Sequence, residues 1–351
     1  MQSKTSADTL LKLKKNINIS KCMVYIIFLV VLSLFAIFIG GSFFSLNNIL
    51  NIIRQTAVVS MIAVTMTFVI AIGEIDLSVG STIGLSGLMA ALVLQSTDNI
   101  PLAILAALAV GLVVGLINGL LIVALNLPSF LVTLGMQMVL VGTSMWITNT
   151  TAIPIGNTTF TFTFGGGSIG KLPLLLLWVL ITGAVGYIVL NRTPYGKKVL
   201  AVGGNATSAR YSGINVKKIV VYVFVYSSLM AALGGMLYAG RMSSGRYTFG
   251  DGLELDAIAS VILGGTSMAG GNGSIVGAII GSLLIGTIFG TLGEKTGLEI
   301  FNTIAVYAKG ATGAALGVSI AYALKAPQLV IFSAATVGIA GNELGGPVGA
   351  L

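Results

Sequence analysis

Two small groups of carboxylates carry the most chemical potential in a chain that has only 10 acidic residues and no histidine. The first lies in Gly73 to Gly84, read G-E-I-D-L-S-V-G-S-T-I-G, and the second in Leu253 to Gly264, read L-E-L-D-A-I-A-S-V-I-L-G. At a constant offset Glu74 maps onto Glu254, Asp76 onto Asp256 and Gly84 onto Gly264, so each copy sets two carboxylates at the mouth of an apolar run. Such groups, with Ser78 beside the first pair, can cap the helix that follows by accepting from free backbone N–H groups, or pair within the structure. They can instead couple or gate a path, or touch a substrate directly, because a charge left in hydrocarbon costs about 2.5–3.5 kcal/mol unless satisfied. Asn118 poses a similar choice between an interhelical hydrogen bond and a polar group lining a path.

No catalytic residue is assigned. There is no histidine, the single Cys22 allows neither an intramolecular disulfide nor a cysteine metal cluster, and no nucleophile sits with a base, so neither an enzyme nor a metal site is expected. Gly165-Gly166-Gly167-Ser168-Ile169-Gly170-Lys171 imitates a P-loop only as far as Leu172, where Ser or Thr is needed to hold magnesium, and no strand precedes it.

The elements that position these groups are membrane helices. A mean hydropathy of +1.02, with 56% hydrophobic and 8% charged residues over 351 positions, lies outside the soluble globular range. The net charge of +8 is a topology signal and no footprint for nucleic acid, since 11 of the 18 Lys and Arg fall within 1–21 and 191–218. Lysines 4, 12, 14, 15 and 21 precede an uncharged stretch, 22–53, which places the N-terminus in the cytoplasm and a retained first helix near 23–42. Further helices are predicted near 49–72, 79–94, 101–125, 127–147, 172–190 and 219–240. Gly111, Gly115 and Gly119 strip one face of the fourth and suit it to close helix contact.

The basic loop 191–218 contains no acid, and within it Asn205 can cap a short helix over Ala206 to Ser212 that Gly213 ends. A two-turn helix is too short to be stable alone and must dock on something. After Asp256 the apolar run lasts about 15 Å at 1.5 Å per residue, half a hydrocarbon core, before Gly264-Gly265, and the helix resumes from Ser274 to about Phe289. Short, glycine-interrupted segments of this kind mark broken helices beside a transport path. Five predicted spans separate the two carboxylate motifs, and an odd number inverts the second copy. The expected fold is therefore an all-α polytopic membrane bundle of about 10–11 helices, some broken, with an inverted internal repeat.

At these motifs the sequence resembles the membrane permease of ribose-type ABC importers, a family that also serves xylose and galactosides. The resemblance rests on G-E-I-D-L-S-V-G-S at 73–81, L-P-S-F-L-V-T-L-G-M at 127–136, A-V-G-G-N-A-T-S-A-R-Y-S-G-I-N-V at 201–216 and E-L-D-A-I-A-S-V-I-L-G-G-T-S-M-A-G-G-N-G at 254–273. Glu74 departs from it, because the family usually has Gly there. The resemblance implies a permease domain over 23–290 in the bacterial plasma membrane, working as two copies. Two cytoplasmic ATPases holding ATP-Mg would drive it, and an external binding protein would deliver a monosaccharide; the permease itself would bind no cofactor. It also implies that Asn205, Ala206, Thr207, Ser208, Ala209, Arg210, Tyr211, Ser212 and Gly213 form the helix that docks on the ATPase.

From about Ile285 the pattern departs. A-Y-A-L-K-A-P-Q-L-V at 321–330 and A-G-N-E-L-G-G-P-V-G-A at 340–350 resemble an enzyme IIC component of a phosphotransferase system, and Lys309 lies in an apolar run. The two resemblances meet near 283–290, as expected of a chimera made by gene fusion or sequence misassembly that leaves 291–351 as a foreign tail. A natural but divergent last helix pair is the alternative for the tail, and a phosphotransferase-type or secondary sugar carrier is the alternative function.

Overall fold

The computed structural model describes residues 43–295 and, ahead of them, 25, 26, 28–34 and 37. The basic segment 1–22, half of the expected first helix and the tail beyond 295, with Lys309, lie outside the described residues. The chain divides into two compact units, Met1–Gly286 and Thr287–Leu351, and the helix bundle belongs to the first.

Six helices are long and apolar enough to cross a membrane among the described residues: α1 (Leu46–Ala71), α2 (Val79–Thr97), α3 (Ile100–Leu125), α4 (Ser129–Thr148), α5 (Leu174–Arg192) and α8 (Val216–Met242). Their ends follow local chemistry. Asn99 accepts from Leu102 N–H at 3.0 Å and Pro101 occupies the first turn of α3, where a missing donor costs nothing. Asp98, Asn126 and Asn149 close α2, α3 and α4 in left-handed conformations that short polar side chains tolerate.

Helices α1 and α2 form the buried centre with much of α8, whereas α3, α4 and α5 turn Leu105, Leu116, Leu120, Trp146, Leu180 and Ile188 outward, as lipid-facing helices do. The glycine face of α3 meets α8 as its spacing predicts. A Cβ added at Gly111 would lie 2.5 Å from the Ser228 carbonyl oxygen, one at Gly115 2.6 Å from Val225 Cα, and one at Gly119 2.9 Å from Val221 Cα. Because each obstacle is backbone, Gly115→Ala is expected to destabilise the protein by about 1–3 kcal/mol and lower its melting temperature in detergent. Gly135→Ala on α4, with nothing within 4 Å, is the control and should leave it unchanged or slightly raised.

The basic loop between α5 and α8 is not one short helix in open chain but two helices, α6 (Pro194–Gly204) and α7 (Ala206–Tyr211). The segment 149–171 and its neighbour also carry a little β structure within the all-α architecture. Ile153–Pro154 pairs antiparallel with Ser244–Gly245, and Ser168–Ile169 pairs with Leu172–Pro173. That second pairing sets Gly170 in a hairpin turn, while Gly165 and Gly166 end a short helical turn over Phe162–Gly166, so the P-loop-like glycines form no single loop.

The expected break is present. Helix α9 (Leu253–Leu263) spans 11 residues, a glycine-rich link follows, and α10 (Ile275–Lys295) resumes. Helices α2 and α9 begin side by side: a Cβ at Gly80 would collide with Glu254 and lie 2.5 Å from the Gly250 carbonyl oxygen. From there α2 runs alongside α8, with Gly87 against Gly235, toward the end of the bundle where Asn157 binds Asp98. The link after α9 instead reaches the opposite end, where Gly271 N–H donates to Ala71 O at 2.9 Å.

Candidate functional site

Residues 73–78 leave α1 and reach α2 without regular structure. In a membrane interior such backbone needs partners, and α4 supplies them. Ser129 Oγ accepts from Ile75 N–H at 3.0 Å and Thr133 Oγ1 accepts from Leu77 N–H at 3.1 Å. Pro128 starts α4 just before this stripe, so the motif at 127–136 serves the motif at 73–81.

Asp76 is fully buried and accepts three hydrogen bonds. Ser78 donates to Oδ1 through its N–H at 3.1 Å and its hydroxyl at 2.6 Å, and the Ser227 hydroxyl on α8 donates to Oδ2 at 2.9 Å. Asn118 Nδ2 on α3 then donates to Ser78 Oγ at 2.9 Å. One buried network thus ties α3 and α8 to the start of α2. Asp76 does not cap α2 in the usual sense: it holds the N–H of Ser78, the N-cap residue itself, and Ser78 makes no side-chain cap bond. Asn118 makes the interhelical bond and keeps its Oδ1 buried without a hydrogen-bond partner.

The second motif is built differently. Glu254 is the second residue of α9 and 2% exposed, and it accepts from Gln137 Nε2 at 3.3 Å while Oε2 presses against Gly80 without a hydrogen-bond partner. Asp256 and Glu74 are only half-buried. The deeply buried acids are therefore Asp76 and Glu254, which the sequence register does not align. The first pair precedes its helix in chain without regular structure, whereas the second already lies inside its helix.

Ser129, Thr133 and Gln137 recur every four residues on one face of α4 and serve both carboxylate motifs. Sequence reading missed this stripe and Ser227. The stripe's period of four in an apolar helix was the available signal. Nothing local marks Ser227, which meets Asp76 from a distant part of the chain. Among the described residues no group of three or more His, Cys, Asp or Glu comes together to hold a metal ion.

At the basic end of the bundle, Thr193 Oγ1 caps α6 by accepting from Gly196 N–H at 3.2 Å, and Asn205 Oδ1 caps α7 by accepting from Ser208 N–H at 2.9 Å. Gly213, at φ +81°, ends α7 as its spacing predicts, with Gly213 N–H donating to Arg210 O. Only Ala209 of 205–213 is buried, and Tyr211 is 88% exposed. Tyr195 on α6 is half-buried, and that burial, reinforced by Tyr226 and Tyr222 nearby, pushes its hydroxyl up to about 12, so it remains a neutral donor. In the turn ahead of α9, burial raises the Asp251 carboxyl above its ordinary value.

The family model described as "Branched-chain amino acid transport system / permease component" matches residues 48–308. The ribose import permease protein RbsC of Escherichia coli is 40% identical over 252 residues, 71% of this chain and 78% of that protein. The galactose/methyl galactoside import permease protein MglC of Escherichia coli is 36% identical over 283 residues, 76% of this chain and 84% of that protein. The L-arabinose ABC transporter permease protein AraH of Azospirillum brasilense is 35% identical over 274 residues, covering 77% and 79%. No solved structure matches the chain significantly. With a buried polar network at the centre of six membrane-length helices and a family match across most of its length, this chain belongs to the branched-chain amino acid transport system permease component family, and it is a transport subunit and not an enzyme in its own right.

Proposed function

We propose that this chain is the permease subunit of an ABC importer that moves a ribose-like monosaccharide into the cell. Two copies form the pathway in the bacterial cell membrane, with the N-terminus and the α6–α7 segment in the cytoplasm. A separate ATPase carrying ATP-Mg drives it, and an extracytoplasmic sugar-binding protein delivers the substrate. The observation that carries this reading is α7: a capped six-residue helix, exposed at every position but one, on the end of the bundle with the basic loop. So short a helix, offered to solvent in a chain whose P-loop-like glycines lack the Ser or Thr that would hold magnesium, fits a surface made to receive force from another protein. That the relatives are permeases for ribose, galactose or methyl galactoside, and L-arabinose favours a sugar as cargo.

The two halves would be related by an axis in the membrane plane. The side-by-side start of α2 and α9, and their departure toward opposite ends, support that relation. Closing of the ATPases would then rock the halves about the Asp76 and Glu254 contacts. The tail from 291 is proposed as foreign; the family match reaches residue 308 and the compact division falls at Gly286, so reading the source genome across 275–310 tests the join.

The test of function is reconstitution. The chain purified with its neighbouring ATPase should accumulate a labelled monosaccharide in vesicles only when ATP is supplied with the binding protein. Accumulation driven by phosphoenolpyruvate or an ion gradient without ATP would replace this reading with the phosphotransferase-type or secondary carrier.

A further inference from the structure

Three glycine-bearing segments meet at the basic end of the bundle. Gly203 lies in the last turn of α6, two residues before the cap of α7. A Cβ at Gly203 would overlap the Ala71 carbonyl oxygen at the end of α1 and lie 2.6 Å from Gly271 N. Gly270, at φ +80°, would place a Cβ 2.7 Å from Gly203 O and 3.0 Å from Gly73 N, and Gly271, at φ +75°, would place one 2.8 Å from Gly204 Cα. The hydrogen bond from Gly271 N–H to Ala71 O fastens the segments together. Backbone lies directly on backbone, with no side chain between to yield.

What these segments lead into gives the contact its meaning. Gly73 opens the link that carries Asp76 into α2, and Gly270 and Gly271 lie in the link that follows α9, the helix of Glu254. The geometry points to a rigid joint at Gly203, Gly270 and Gly271 through which movement of α7 reaches both carboxylate-bearing helices at once. Rigidity follows from close packing without intervening side chains, because a displaced backbone must displace the backbone it touches. The joint rests on the proposed function, in which α7 receives force from the ATPase.

The test compares two adjacent positions. A Cβ at Gly204 would meet only Gly271 Cα, at 3.9 Å, an ordinary contact, so Gly204→Ala keeps the joint and Gly203→Ala forces it apart. In vesicles holding the complex with its ATPase, G203A is expected to bind the ATPase and hydrolyse ATP, but to import at least about tenfold less sugar per ATP, as overpacking of this kind allows. G204A should stay within about twofold of the parent. G203A importing as much per ATP as G204A overturns the joint.

Amide exchange in the unsubstituted complex decides the matter even if G203A does not insert. Gly271 N–H, which donates to Ala71 O, should exchange as slowly with ATP bound to the ATPase as without it, since a rigid joint keeps that bond while it moves. Exchange at Gly271 that rises at least about tenfold in one of the two states means the segments part or slide past one another, and overturns it. Failure of the functional reading looks different, because the unsubstituted complex would then import without ATP.

Discussion

Arg210→Glu is expected to abolish ATP-driven uptake while leaving the protein inserted in the membrane. Arg210 is exposed in the last turn of α7, where a positive charge suits the negative end of the helix and a glutamate does not. It lies in a loop with six positive charges and no negative one, so its partner surface should be acidic where the two meet. Reversing one charge at such a contact weakens association by about 2–5 kcal/mol, more than about tenfold in affinity. Removing 205–213 altogether should have the same outcome by deleting the docking helix. Lys171→Glu reverses a charge on the segment 149–171 at the other end of the bundle and is expected to leave ATPase association unchanged. Three measurements separate the cases: membrane content by blot, ATPase recovered by pull-down, and sugar accumulated in vesicles. Normal uptake by Arg210→Glu and by the deletion would remove the docking role of α7 and, with it, the observation on which the functional reading stands.

The membrane helices were legible because a run of about 20 apolar residues is a strong signal that needs no tertiary context. Their ends were legible to within a few residues where Asn, Asp or Pro marks a cap, as at Asn99 and Asn126, and α7 was legible from Asn205 and Gly213 alone. Helix α6 was not. Its sequence P-Y-G-K-K-V-L-A-V-G-G carries lysines and closing glycines that read as loop, although Thr193 followed by Pro194 is a helix-start signal that outweighs them. The closing glycines that hid the helix are the ones that bring Gly203 onto Ala71 O.

The carboxylates show where pattern reading stops. Their presence and placement near a helix start were visible in the sequence, and so was the break after α9. Which acids are buried was not, because burial depends on whether the helix begins after the acid, as at Asp76, or before it, as at Glu254. Partner identity was equally hidden. Serine in an apolar helix usually bonds its own carbonyl four residues back, and only the packing of α8 on α2 turns Ser227 toward Asp76.

That network makes a second, opposed pair of outcomes at Asp76. Asp76→Ala removes the acceptor for Ser78 N–H, Ser78 O–H and Ser227 O–H together, inside a core where none of them reaches water. Each orphaned buried donor costs about 1–3 kcal/mol, so a loss of about 3 kcal/mol or more is expected, seen as a collapse of the thermal transition and of membrane yield. Asp76→Asn keeps one oxygen for both Ser78 donors, and its amide can donate to Ser227 once that hydroxyl rotates. Its stability should stay within about 1 kcal/mol of the parent, and its ATP-driven uptake within about twofold. The isostere therefore separates a structural acceptor from a working charge. If Asp76→Asn holds its melting temperature but loses uptake, the negative charge itself takes part in the transport cycle, and Asp76 belongs to the coupling or gating of the path and not only to the framework around it.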